Sequence, residues 1–377
     1  MKTNYPTKKL GEVIEINYGK GLSKNGRIDS GKYFAYGSNG PVYRTNESLT
    51  KGEIIVIGRK GTAGALYFIS EPCWPIDTTF FAKPKNGVSL KFIYYLLQIK
   101  RLPRLAIVTG VPGINRTTLA NINIQLPPPQ TQKQIVERLD KIVEAQKLND
   151  DLIQKSDELF QSLLHKELNP AQQHSNILQN VGMSDKQKWE VKELGNVCDV
   201  RDGTHTSPKF FPEGLPLITS KNLIGGVIDF SNIQFISEKD YLEIEKRSKV
   251  DYGEILFGMI GTIGNPVVVR KNRKFSIKNV GLIKFTAASP INIFVYYILL
   301  SSFVEQQIKK FSRGGTQKFI SLGNLRNLKV PLPDLKIQKQ IVAKLSAVQD
   351  YKTQLLAQKS KLKELFDSAL HKSMNNK

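Results

Sequence analysis

Two segments set cationic and amide side chains on glycine turns: Arg59-Lys60-Gly61-Thr62 and Arg313-Gly314-Gly315-Thr316-Gln317-Lys318. Glycine lets a backbone come close to a polyanion, Arg and Lys contact phosphate oxygens, and Arg and Gln also match base edges in a duplex groove. The second segment aligns with Thr109 to Gly113, which leads toward Arg116. Two further loops have the same character. One runs from Tyr18-Gly19-Lys20-Gly21 past Lys24 and Arg27 to Tyr36-Gly37-Ser38-Asn39-Gly40. The other is Arg201-Asp202-Gly203-Thr204-His205-Thr206-Ser207-Pro208-Lys209, followed by Thr219-Ser220-Lys221-Asn222. Candidate nucleic-acid contacts are thus Lys20, Lys24, Arg27, Tyr36, Ser38, Asn39, Arg59, Lys60, Thr62 and Arg116 in the first half. In the second half they are Arg201, Thr204, His205, Thr206, Lys209, Ser220, Lys221, Arg313, Thr316, Gln317 and Lys318. Hairpin turns favour the same residue types, so each loop also has a purely structural reading. The Gly-Thr-x-Gly repeated at 61–64 and 261–264 reads as a required turn, whereas Arg59 and Lys60 are not shared by Met259 and Ile260.

The residue types needed for bond making are missing. No Asn- or Asp-Pro-Pro-aromatic motif for amino-group methylation occurs, and Asn265-Pro266-Val267 lacks both the second proline and the ring. There is no Walker loop and no nuclease carboxylate cluster; Glu190 and Lys192 stand two residues apart without a third partner. His165 and His371 occupy equivalent helix ends, where a cation suits the helix dipole, and His174 and His205 complete the set. Neither Cys73 nor Cys198 has metal-ligand spacing to another Cys or His. The expectation is a chain that performs no catalysis and holds no cofactor or metal of its own.

Composition agrees with a polyanionic partner. Of 377 residues, 55 are Lys or Arg and 33 Asp or Glu, a net charge of +22 with a pI near 9.7. Hydrophobic residues make up 40%, enough for substantial cores. The N-terminal Met1 to Leu10 has no apolar run, and Ile291 to Val304 is too short and too interrupted to span a bilayer. A cytoplasmic location away from the membrane follows as an expectation.

The elements that must position these loops occur twice. Leu10-Gly11-Glu12-Val13 returns as Leu194-Gly195-Asn196-Val197 at an offset of 184; Gly52-Glu53-Ile54 returns as Gly253-Glu254-Ile255 at 201. Phe92 to Leu97 returns as Phe294 to Leu299 at 202, and Gln132-Lys133-Gln134-Ile135-Val136 as Gln338-Lys339-Gln340-Ile341-Val342 at 206. Glu158-Leu159-Phe160 and Glu364-Leu365-Phe366 keep that last offset. Each copy therefore has a front of variable length and a back of fixed length. Residues 129–168 and 334–374, free of internal Gly and Pro and opened by Pro127-Pro128-Pro129 and Pro331-Leu332-Pro333, read as long helices of roughly 60 Å. Ile135, Leu139, Ile142, Ala145, Leu148, Leu152, Leu159 and Leu163 form one apolar stripe; Ile341, Val348, Leu355, Leu362 and Ala369 recur at sevens in the other. The rods either pack on each other or each lies on its own domain. Asn149 and Ser156 interrupt the first stripe, either fixing register or marking a solvated stretch. The division expected is a mixed domain at 1–128, a helix at 129–168, a polar linker at 169–186, a second mixed domain at 187–333 and a final helix at 334–374.

On the paired L-P-x-x-x-x-Q-K-Q-I-V segments from Leu126 and Leu332, with Tyr36 to Gly40 and Asp202 to His205, the chain resembles the specificity subunits of Type I restriction-modification systems. The resemblance covers almost the whole sequence. It implies an α+β fold: two target recognition domains separated by two long helices, packed as an antiparallel coiled-coil pair with an internal pseudo-twofold repeat. It implies a bipartite target in double-stranded DNA, with helices that set the gap and dock two methyltransferase subunits; half-sites would lie about one helical turn apart. Ile135, Leu139, Ile142, Phe160, Ile341, Leu345, Val348 and Phe366 are the candidate docking residues on those helices. S-adenosylmethionine for adenine methylation, and ATP and Mg for restriction and translocation, would belong to partner subunits. A DNA-binding or scaffold adaptor of a related defence complex without restriction activity is the alternative.

Overall fold

The computed structural model describes residues 5–85, 87–108, 110–168, 189–270, 273–287, 289–311 and 319–375. The expected linker at 169–186, and Arg313, Thr316, Gln317 and Lys318, lie outside the described residues. The chain divides into two units. One comprises Met1–Asp151 with Leu356–Lys377, the other Leu152–Leu355. Each unit thus takes the leading part of its own long helix and the trailing part of the other copy's, an exchange that the linear order of segments does not display.

In the first unit, β1 (Thr7–Lys9) leads into a single helical turn, α1 (Leu10–Val13), and then β2 (Ile14–Tyr18), β3 (Tyr33–Gly37) and β4 (Gly40–Thr45). There follow β5 (Ile54–Gly58), β6 (Leu66–Ile69), β7 (Trp74–Pro75), β8 (Thr79–Pro84), α2 (Leu90–Ile99), α3 (Arg116–Ala120), β9 (Asn123–Gln125) and α4 (Pro129–Leu168). The main sheet runs β2-β8-β5-β6, all antiparallel; a second runs β4-β3-β7, and β1 pairs with β9. Strand β5, Ile-Ile-Val-Ile-Gly, is buried on both faces, which explains its uninterrupted apolar run. Ser89 starts α2 by accepting a hydrogen bond from the Phe92 N–H at 3.2 Å. The core joins Phe80, Phe92, Ile93 and Leu97 to Ile135, Leu139 and Ile142 of α4 and to Ala369 and Leu370 near the chain's end. Full burial of each such Leu, Ile or Phe contributes ~1.5–3 kcal/mol.

The second unit repeats the plan with β10 (Glu190–Glu193), α5 (Leu194–Val197), β11 (Asp199–Asp202), β12 (Leu215–Ile218), β13 (Leu223–Ile224), β14 (Val227–Ile228), β15 (Gln234–Ile236) and α6 (Glu238–Ser248). It continues with β16 (Ile255–Gly258), β17 (Gly264–Val268), β18 (Ser276–Ile277), β19 (Val280–Lys284), α7 (Asn292–Leu299), α8 (Ser302–Phe311), α9 (Leu322–Arg326), β20 (Lys329–Leu332) and α10 (Leu335–Asn375). Its main sheet, β11-β19-β16-β17, has the order of the first, and β10 pairs with β20 as β1 does with β9. The β13–β14 hairpin and α6 lie between β12 and β16, where the repeat offset rises from 184 to 201. This insertion accounts for the longer second front.

The repeated Gln has a specific task. Gln132 is buried; its Nε2 donates to the Pro127 carbonyl at 2.8 Å and its Oε1 accepts from the Ser89 N–H at 2.9 Å. Gln338 does the same in the second unit, donating to the Pro333 carbonyl at 2.9 Å and accepting from the Ile291 N–H at 3.1 Å. Each side-chain amide ties the first turn of a long helix to the start of a domain helix, satisfying backbone groups that burial would otherwise leave unpaired.

The long helices pair antiparallel within each unit. In the first, Gln146 donates to the Leu362 carbonyl at 3.2 Å and Lys359 meets Asp150 at 2.8 Å. In the second, Lys352 meets Asp157 at 2.5 Å and Lys344 meets Glu167 at 2.9 Å. The rods pack both on each other and on the domains. The seam departs from the expected stripe: Asn149 and Ser156 are buried, whereas Leu148, Leu152 and Leu159 are exposed. Ile135, Leu139 and Ile142 anchor the face, and steps of seven from Ile142 reach 149 and 156; Leu148 lies one residue, about 100°, off that line.

Candidate nucleic-acid interface

Turns at one end of the first unit's main sheet gather its cations around an aromatic ring. Tyr18, at the end of β2, is half exposed and packs on Phe80 at 5.0 Å. The guanidinium of Arg59 lies 5.6 Å from the Tyr18 ring centroid and that of Arg116 lies 5.5 Å away. Arg59 is fixed further by two hydrogen bonds from Nε and Nη2 to the Asp77 carbonyl, at 3.0 and 2.7 Å. Held cations beside an exposed ring suit phosphate and base contact.

The glycines here are structural. A Cβ on Gly19 would lie 2.0 Å from the Ile76 carbonyl oxygen, and one on Gly58 would lie 2.2 Å from that of Thr62. The Lys20 carbonyl accepts from Trp74 Nε1 at 2.7 Å, fixing the backbone from which Lys20 projects. Ser38 lies beside the Gly58–Gly61 turn, so the β3–β4 and β5–β6 turns meet, with Asn39, Lys60 and Thr62 exposed. Lys24 and Arg27 lie on a separate stretch, where Arg27 stacks over Tyr43 at 4.2 Å. Tyr36 turns inward among Leu49, Cys73 and Tyr67, and burial pushes its phenol upward from 10.0. Its ring serves the unit's own core.

The second unit builds its corresponding end differently. Asp202 is buried, and Arg247 and His205 converge on its carboxylate; His205 Nε2 lies 2.7 Å from one oxygen, and Arg247 bonds the other. His205 Nδ1 lies 2.9 Å from the Asn279 side-chain oxygen. The Thr204 N–H donates to the Ile277 carbonyl at 3.0 Å, and Thr204 and Thr206 share a hydroxyl hydrogen bond of 2.7 Å. Thr206, Lys209 and Lys221 remain exposed. Lys221, Asn222, Ile260, Lys278 and Asn279 line a cleft of about 540 Å³.

Two expected contacts are occupied within the fold. The buried Ser220 hydroxyl accepts from the N–H groups of Met259 and Ile260 at 3.1 and 3.4 Å and donates to the Asn279 carbonyl at 3.3 Å. It braces the turn against the cleft. Arg201 is paired with Asp199 at 2.7 Å and donates to the Arg247 carbonyl at 3.1 Å; the hydrogen bond to Asp199 raises its pKa further.

The helix residues Ile135, Leu139, Ile142, Ile341 and Leu345 are buried in the units' own cores. Phe160 packs edge-on to Tyr297, Phe366 to Tyr95, and Val348 is partly buried against the second core. Elsewhere on the long helices Leu148 and Leu365 in the first unit, and Leu152 and Leu159 in the second, are exposed.

The partnership of Asp202 with Arg247 and the exposed Val108 were not singled out in the sequence; for Val108 a charge signal was present. No Asp or Glu occurs between Asp77 and Glu137, a stretch containing Lys83, Lys100, Arg101, Arg104 and Arg116; between Glu254 and Asp334 the only one is Glu305. Among the described residues no group of His, Cys, Asp and Glu could hold a metal ion, and no helix is long and apolar enough to cross a membrane.

A family model described as the Type I restriction modification DNA specificity domain matches residues 2–155 and 186–364. The Type I restriction enzyme MjaVIII specificity subunit of Methanocaldococcus jannaschii is 25% identical over 304 residues, covering 75% of this chain and 68% of that one. The EcoBI specificity subunit of Escherichia coli is 23% identical over 319 residues, covering 79% and 67%. Among solved structures, a Type I restriction-modification S subunit from M. genitalium superposes with a TM-score of 0.64 at 18% identity, covering 98% of this chain and 96% of that one. A chain from a Type I restriction-modification system described for its assembly and conformational transition gives 0.61 at 17% identity, covering 99% and 98%.

Proposed function

This chain belongs to the Type I restriction-modification DNA specificity family, and we propose that its two target recognition domains read the two halves of a bipartite duplex target. The observation that carries the reading is the duplicated sheet: β2-β8-β5-β6 and β11-β19-β16-β17 share one strand order but end in differently equipped turns. One scaffold used twice with different loop chemistry suits two different half-sites. Lys20, Asn39, Arg59, Lys60, Thr62 and Arg116 supply the contacts of the first unit. Thr204, His205, Thr206, Lys209 and Lys221 supply those of the second. Phosphate contacts position each unit and base contacts select the sequence.

The long helices set the gap and dock two methyltransferase subunits, with restriction and translocation subunits joining them. Adenine methylation with S-adenosylmethionine, and ATP- and Mg-dependent steps, belong to those partners. This chain supplies recognition and acts in the cytoplasm, where the DNA is. Selection of duplexes from a random pool by the complex of this chain with its methyltransferase tests the reading. Two short enriched blocks at a constant separation are expected; a single block, or no enrichment, would overturn it.

A further inference from the structure

Among the described residues of the first unit, the segment between Ile107 and Gly113 presents aliphatic side chains to solvent beside its cations. Val108 is 71% exposed, Val111 70% and Ile107 59%. The ends of the segment are held in place. Ile107 and Gly113 exchange both backbone hydrogen bonds, at 2.9 and 3.1 Å. Gly61 N–H donates to the Pro112 carbonyl at 3.0 Å and Ile114 N–H to that of Arg59 at 2.9 Å, tying the neck to the turn that carries Arg59 and Lys60. Gly110 has a φ of 125°, which an L side chain rarely adopts, so the turn requires glycine there.

Resting on the reading of this chain as a DNA specificity subunit, we propose that Val108 and Val111 determine specificity in the first half-site by contacting the C5 methyl group of a thymine in the major groove. Branched aliphatic side chains held in water cost hydration free energy, and a merely solvated turn has polar choices. The aligned stretch of the second copy, Ser312-Arg313-Gly314-Gly315-Thr316-Gln317-Lys318, is polar throughout. The flanks favour a polyanion: Arg59 and Arg116 crowd Tyr18, and Arg101 and Arg104 precede the neck in a stretch without carboxylates. On such a partner, the apolar group that a base edge offers in the major groove is the thymine methyl. The polar residues of the second copy would instead select by hydrogen bonds, so the two half-sites differ in how they are read.

The test uses the complex of this chain with its methyltransferase, on its selected target. Each thymine is replaced in turn by deoxyuridine, which lacks only the C5 methyl. One position in one half-site should lose about four- to tenfold in affinity, the value of roughly one buried methyl contact. The Val108→Ser/Val111→Ser variant should bind thymine and deoxyuridine duplexes equally at that position and keep the methyl sensitivity of any other. Both residues are exposed, so the fold should survive, as an unchanged melting temperature would verify. Sequence-specific binding with no deoxyuridine effect that depends on these valines overturns this proposal and leaves the parent reading standing. A rise in 2-aminopurine fluorescence that the serine variant abolishes would identify a wedge between bases, and overturns it also. Absence of sequence-specific binding by the unaltered complex overturns both.

Discussion

Phe366, close to the end of the last helix, meets Tyr95 of the first domain edge-on with ring centroids 5.9 Å apart, and Phe160 repeats that contact on Tyr297 at 5.9 Å. Each domain therefore rests on an aromatic side chain from the other copy's helix. Phe160→Ala should cost about 3–4 kcal/mol; Phe160 is only 5% exposed. Phe366→Ala, at a partly buried site, should cost about 2–3 kcal/mol. Urea unfolding followed separately through each domain should place the loss in the domain that the ring touches.

Arg59 and Arg116 are the cations held over Tyr18. Removing a phosphate contact releases fewer counterions on binding, so Arg59→Ala and Arg116→Ala should each weaken binding and reduce the slope of log K against log salt by about 1. Titrations at several salt concentrations check this. If both variants leave affinity and slope unchanged, the first unit meets DNA elsewhere.

Asp202 is the buried acceptor that orders the second unit's loop through His205 and Arg247. Asp202→Ala leaves Arg247 and His205 without that anchor; because both partners are largely exposed, the stability cost should be only about 1–2 kcal/mol, well below that of a fully buried pair. The larger effect should be on recognition. Discrimination against base changes in one half-site should fall while that in the other persists, measured by competition with single-substitution duplexes.

Burial raises both thiols, pushing Cys198 from 9.0 up to about 12. Below pH 9 the folded and unfolded chains both keep the Cys198 proton. Above it the unfolded chain ionises first, so this contribution to stability is lost progressively between pH 9 and about 12. A thiol reagent at pH 8 should label neither cysteine until denaturant is added, and Cys198→Ala should flatten the alkaline fall in stability.

The repeat made the architecture legible because helix starts, sheet strands and the Gln tie are fixed by short motifs whose spacing survives in both copies. The seam was harder. Leu148, Leu152 and Leu159 look like core by type, but the phase set at Ile135 and Leu139 buries Asn149 and Ser156 instead. Site residues were least legible. Ser220 has the right chemistry for DNA, yet its partners are Met259 and Ile260, some forty residues onward in sequence, and only folding brings these together; Arg201 is taken up by Asp199 two residues before it and by the Arg247 carbonyl.

The central claim is that two domains of this chain direct modification to a two-part sequence. Co-expression with its methyltransferase in a host free of DNA methylation, followed by mapping of modified adenines, tests it most directly. Modified adenines confined to two short half-sites at a constant gap are the expected result. A stable complex that leaves no sequence-defined methylation would contradict it, and would favour a scaffold adaptor instead.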